Sequence, residues 1–334
     1  MSQMSRMVAL LVVFMGTPAV SWAADPVQNP AQDAASESTE NEEKESGEEG
    51  AVDIPAVQVE GQKEQPKAND PVGTYKQPRW TVRRPFANNR VYVNPAGYAE
   101  FNIFFSPEFA LEEPSEASLE TQYEFEIGLG NRLQFDAYLV TTQQGWTGPF
   151  GVTEEKLEVR WAFADWGKIW GNPTLYLEWA HGHAPFGASG AEFKQSNGAI
   201  DFEPTESHTS IEPKLLLGGN VGERWFAATN LVFEQVLGEP ENEYAITGGL
   251  SYLAHDPKLY LGVDVEAEAE AEEFKFKEYK FIGGPSLQWY PSEPVHIGLS
   301  AFVGPEFEKE TEEGETEWES EMVFKGLLIA GYEF

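Results

Sequence analysis

The 334-residue chain contains no cysteine, so it forms no disulfide and offers no thiolate to a metal or to nucleophilic chemistry. It also lacks long apolar runs. Mean hydropathy is −0.41, and no stretch approaches the ~20 apolar residues of a membrane-spanning helix. Basic residues are scarce: 22 stand against 56 acidic ones, for a formal charge of −34, the opposite of a nucleic-acid-binding footprint. Also absent are a Walker loop, a dinucleotide fingerprint, a zinc ribbon and a serine-protease constellation. These absences leave no expected cofactor, no committed metal site and no nucleic-acid partner.

What is present falls into four segments. Arg6, an apolar run over residues 7–15, Pro18 and the small-residue site Ser21-Trp22-Ala23 read as a secretory signal, residues 1–23. Residues 24–79 are rich in Glu, Ser, Gln, Pro and Ala and nearly free of aromatics; they cannot bury enough apolar surface to offset ordering entropy, which predicts a disordered, acidic periplasmic tail. Residues 80–96 form a basic pre-barrel segment, which with the preceding Lys76 and Arg79 gathers Arg83, Arg84 and Arg90 in an otherwise acidic chain. Residues 97–334 alternate with a period of two almost throughout. Leu119, Thr121, Tyr123, Phe125, Ile127 and Leu129, for example, are interleaved with Glu120, Gln122, Glu124 and Glu126.

A soluble sandwich alternates too, but the connections here distinguish the two. Long and short connections alternate along the body, as expected of long extracellular loops and short periplasmic turns. This predicts an all-β fold, a transmembrane antiparallel up-and-down barrel of about twelve strands with both termini in the periplasm. Phe163, Trp166, Trp170, Trp225, Tyr252, Trp289, Tyr332 and Phe334 would share the periplasmic rim as an aromatic girdle.

The last strand places Phe334, Tyr332, Ala330, Leu328 and Gly326 on one face. This terminus resembles the closing strand of Gram-negative outer-membrane β-barrels. The resemblance implies a cell outer-membrane location, lipid and lipopolysaccharide as surroundings, and a barrel-assembly machinery that reads Leu328, Tyr332 and Phe334. The chain is similar to the broad set of small outer-membrane channels and transporters, including those for hydrophobic solutes. In the tail, residues 52–60 resemble the energy-coupling box of TonB-dependent receptors, although the remaining chain is too short for their plugged barrel; an apolar stretch in a linker is the alternative.

Parity directs Glu100, Glu120, Glu124, Glu126, Asp136, Glu158, Glu178, Glu212, Glu234, Asp264 and Glu266 inward, with Arg160 and Lys214 among the basic minority. Such a lumen fits a passive, cation-favouring channel for small solutes or cations. It equally fits a closed structural or adhesive barrel acting through its acidic extracellular loops. Arg79, Arg83, Arg84 and Arg90 would then either plug the acidic lumen or form a collar on lipid headgroups.

Two further readings concern histidines. His208-Thr209-Ser210 has the His–Ser spacing of outer-membrane phospholipase, but Ile211-Glu212 replaces the Asn-Gly of that family, the pair faces the lumen rather than lipid, and Asn230 has no assigned role. His181, His183 and His208 flank one extracellular loop near Glu192, Asp201, Glu203 and Glu206, yet alternation puts His181 and His183 on the lipid side and His208 inside. The acidic stretches 266–273 and 306–321 would continue above the membrane as solvated strands, and Lys275 and Lys277 would face lipid unless a bulge intervenes.

Overall fold

Alternation of apolar and polar side chains needs a wall with two different faces, and closure removes the unpaired edges that a membrane cannot tolerate. The computed structural model has this form. It describes residues 66–148, 150–182, 192–196, 199–203, 208–272, 275–312 and 315–334. The signal peptide, residues 24–65 of the tail with its 52–60 stretch, His183 and Glu206 lie outside them.

Two short strands, β1 (Pro71–Val72) and β2 (Gln77–Pro78), pair near the start, followed by a 3-10 turn at Arg79–Thr81. Next come β3 (Ala99–Ala110), β4 (Ser118–Gly130), β5 (Leu133–Gln144), β6 (Phe150–Ala162) and β7 (Thr174–Gly182). A separate hairpin, β8 (Glu192–Ser196) and β9 (Ala199–Glu203), precedes β10 (His208–Asn220), β11 (Trp225–Val236), β12 (Glu241–His255) and β13 (Leu259–Glu272). The last three are β14 (Lys275–Ser292), β15 (Val295–Glu312) and β16 (Glu315–Glu333). β3–β7 and β10–β16 form one closed barrel of twelve strands, β16 pairing with β3.

The wall is inverted relative to a soluble protein. Phe101, Phe125, Leu157, Val159, Leu175, Leu177, Leu250, Val263 and Leu299 are exposed outward, while Glu126, Asp136, Glu158 and Asp264 are fully buried inward. Trp289 and Tyr279 lie ten residues apart on β14, about 33 Å along the strand and about 25 Å along the barrel axis at a 40° tilt, the height of an apolar membrane band. Leu328, Tyr332 and Phe334 are all exposed on the outer face of β16 and just beyond it.

The structure differs from sequence expectation at two places and decides a third that parity left open. Trp166 is not part of the outer girdle; it turns inward, edge-on to Trp80 and Tyr92 at 5.5 and 5.3 Å. Residues 66–79, expected in the tail, are ordered. A register shift at Glu270/Ala271 sets Phe276 opposite Ala271 and Lys275 opposite Glu272, so Phe276 takes the outer face. That bulge answers the parity problem at Lys275 and Lys277.

Candidate functional site

Residues 66–98 occupy the barrel interior at the end that carries the chain terminus. The Ala68 amide donates to Asp256 Oδ1 at 2.7 Å, and Asn69 Nδ2 to the Glu223 carbonyl at 2.9 Å, both in turns at that end. Trp80 is fully buried, stacked on Phe226 of β11 at 4.6 Å, and its indole N–H donates to Asn220 Oδ1 at 3.0 Å. Phe86 and Val91 join the same core with Leu253, Tyr260 and Tyr290 of the wall. The wall accommodates them with glycine: a Cβ on Gly249 would meet the Phe86 ring at 2.7 Å, and one on Gly218 would overlap Val91. Burial pushes the Tyr92 phenol up, keeping it protonated to donate to the Ala164 carbonyl at 2.5 Å.

Three arginines of this segment reach wall carboxylates. Arg83 donates to Glu333 at 2.5 Å and to the Glu293 carbonyl at 2.6 Å, with its guanidinium 4.3 Å from the Tyr290 ring centre. Arg84 pairs with both Glu124 and Glu126, and its amide donates to Tyr290 Oη at 2.6 Å. Arg90 pairs with Glu100 at 2.9 Å and Glu126 at 2.6 Å. Arg79 makes no ion pair among the described residues, and its Nε has no hydrogen-bond partner.

The inward carboxylates separate into two tiers. In the lower tier, ligand oxygens of Glu124, Asp136 and Glu158 lie within 4.8 Å of one another. That spacing could hold a cation, but protein donors already engage them. Arg84 and Asn102 bind Glu124, Gln134 and Arg160 bind Asp136, and Arg160 and Tyr138 bind Glu158. Asp264 accepts from Ser286 at 2.5 Å. In the upper tier Lys156 pairs with Glu154 and Glu178, and Lys214 with Glu212 at 2.7 Å. Lys325 reaches Glu266 at 2.9 Å, and Lys280 reaches Glu268 at 2.7 Å and Glu108 at 3.3 Å. Glu120 is exposed to the lumen and Glu234 half-buried.

Among the described residues the histidine constellations are not assembled. Ser210 is buried inward, but Asn230 is opposite Leu216 across the β10–β11 pair, six residues along β10 from Ser210, about 20 Å. His181 is stacked on Trp179 on the outer face, whereas His208 sits over Gly182 within.

Sequence reasoning missed Trp80, Phe86, Tyr290 and His296, the last stacked on Tyr290 at 4.7 Å and bonded through Nε2 to Gln288. The signal that would have found them is the glycines at inward positions 218 and 249, where a wall leaves room for another segment.

A closed twelve-stranded antiparallel barrel with an apolar outer belt and a charged interior is an outer-membrane β-barrel, and this chain is one. No protein-family model matches the chain, and no curated protein matches it in sequence. Among solved structures it is similar to an outer membrane channel from Pseudomonas putida F1, at 10% identity and a TM-score of 0.46, over 73% of this chain and 98% of that one. It is also similar to the KdgM porin in complex with disordered oligogalacturonate, at 7% identity and TM-score 0.40, covering 70% and 99%. The NanC porin shares 10% identity at TM-score 0.40, covering 68% and 98%.

Proposed function

We propose that the protein is a passive, cation-favouring diffusion channel of the outer membrane whose periplasmic end is plugged by residues 66–98. The observation that carries this reading is the charge of the lower tier. Glu100, Glu124, Glu126, Asp136 and Glu158 are paired with only three cations, Arg84, Arg90 and Arg160, and two of those three belong to the inserted segment. Without the segment the wall would hold five carboxylates against one arginine, a field that concentrates cations and rejects anions. With it, the same carboxylates anchor the obstruction. The upper tier, where Glu108, Glu120, Glu154, Glu178, Glu212, Glu234, Glu266 and Glu268 outnumber Lys156, Lys214, Lys280 and Lys325, would supply the cation preference at the extracellular entrance.

The test is single-channel recording of the full chain beside Arg84→Glu/Arg90→Glu. The reading expects a mostly closed full-length protein, and frequent cation-selective openings once the anchors repel the wall. A second reading, a permanently closed barrel, is favoured by Lys280–Glu108 and Lys325–Glu266, which join strands that are not neighbours and so span part of the upper lumen. Silence from both proteins would select it. The assembly role of Leu328, Tyr332 and Phe334, and lipopolysaccharide as the outer-leaflet partner, belong to the same proposal.

A further inference from the structure

Strand register sets carboxylates in one unbroken line around the inner wall. From Glu333 on β16 the line runs through Glu100, Glu126, Asp136, Glu158 and Glu178, each directly opposite the next on the consecutive strands β3 to β7. Glu178 faces Glu212 on β10. The register that sets Ile211 opposite Gln235 and Lys214 opposite Val232 then brings Glu212 to Glu234 on β11. From there the line passes Glu243, Glu270, Glu278 and Glu308 and ends at Glu319, again on β16. No strand of the barrel is skipped.

The stagger of a closed barrel turns such a line into a single winding. Glu319 stands fourteen residues before Glu333 on the same strand, about 46 Å along it and about 35 Å along the axis at a 40° tilt. The line therefore climbs from the end that holds residues 66–98 to the extracellular rim. Like charges directly opposed across strands destabilise a sheet, so folding alone does not account for the series.

Its two halves differ in what they hold. Below, the protein supplies the cations: Arg83 on Glu333, Arg90 on Glu100 and Glu126, Arg160 on Asp136 and Glu158, Lys156 on Glu178 and Lys214 on Glu212. The inserted segment is thus itself a cationic chain lying on the first steps. Above, among the described residues, Glu234, Glu243, Glu270, Glu278, Glu308 and Glu319 form no ion pair, and all six are exposed or half-buried. A second observation lies beside the lower steps. Asn102, fully buried, gives its amide hydrogen to Glu124 at 3.0 Å, which leaves Oδ1 without a donor. That oxygen points over Gly331 next to the line: a Cβ there would overlap it and lie 3.2 Å from Glu100 Oε1. Two acceptor oxygens side by side call for an N–H donor.

We propose that this line is a binding track for a linear oligoamine, a flexible chain of ammonium groups separated by short methylene spacers. The proposal rests on the reading of the barrel as a cation-favouring channel and names the class of solute. Adjacent strands set the steps about 4.8 Å apart, close to the separation of ammonium groups across an extended three-carbon spacer. Each ammonium group carries several N–H donors and can bridge neighbouring carboxylates. A divalent metal ion needs converging oxygens instead. Among the described residues no three of the upper glutamates bring theirs within 4.8 Å of one another.

The test is equilibrium dialysis of radiolabelled spermine against the full-length protein in non-ionic detergent at about 0.1 M salt, with putrescine, spermidine and magnesium as competitors. Affinity should rise from putrescine to spermidine to spermine, and magnesium should compete more weakly than putrescine, which carries the same charge. Glu243→Gln/Glu270→Gln/Glu278→Gln removes three successive steps and should weaken spermine binding about tenfold or more. Glu112→Gln/Glu113→Gln/Glu116→Gln removes the same charge from an exposed connection at the same end and should change it by less than about twofold. Compact migration without heating shows that each variant is a folded barrel. Equal weakening by both triple variants, or magnesium competing as well as putrescine, would overturn the proposal. Binding does not require conduction, so the two readings fail separately. Cation current without a preference for amines overturns the track and leaves the channel, whereas spermine held on the line without current supports the track and overturns the channel.

Discussion

Arg90 donates to Glu126 at 2.6 Å across a boundary between two parts of the chain: the arginine belongs to the inserted segment and the carboxylate to the inner wall of β4. Both side chains are almost completely buried. A charge in such a place is held by its partner or destabilises the structure, so the pair is a latch whose failure on either side should be visible.

Arg90→Ala should therefore loosen the segment. Removing one member of a buried pair costs about 3–5 kcal/mol. Here the loss should appear as faster amide exchange over residues 66–98, with exchange of the barrel strands unchanged.

Trp80→Ala should act by a different route. It removes the stack on Phe226 and the bond to Asn220, at a cost of about 3–5 kcal/mol for a large buried aromatic. A cysteine placed at Ala87, now buried, should become reactive to a charged thiol reagent in this variant and stay protected in its absence.

Neutralising Glu120, Glu212 and Glu234 to glutamine should shift the reversal potential of any open state towards zero, because these inward carboxylates of the upper tier are exposed or half-buried. Raising salt should have the same direction of effect, since screening shortens their reach to about 10 Å at 0.1 M.

Deleting Phe334 should reduce the amount of folded barrel in cells, read as the fraction migrating in compact form without heating. Phe334 is exposed and packs on Tyr332 at 5.2 Å, so its loss leaves the interior untouched. Normal yield would argue against a recognition role for the terminus.

Architecture was legible because it depends on alternation, and alternation survives without knowledge of partners. Leu157, Val159 and Trp161 face outward and Glu158 and Arg160 inward, as period two demands. The inserted segment was only half legible. Charge complementarity pointed to Arg83, Arg84 and Arg90, but not to Trp80, Phe86 or Val91, because their partners Phe226, Tyr260 and Gly218 lie far off in sequence. Trp166 was misplaced for the same reason: an indole at a turn suits a membrane interface and an interior cluster equally.

Single-channel current and reversal potential of the full-length protein, recorded beside Arg84→Glu/Arg90→Glu, test the central claim most directly. The account predicts long closures in the full-length protein and frequent cation-selective steps in the charge-reversed one. Equal open probability in the two, or anion selectivity in either, would contradict it.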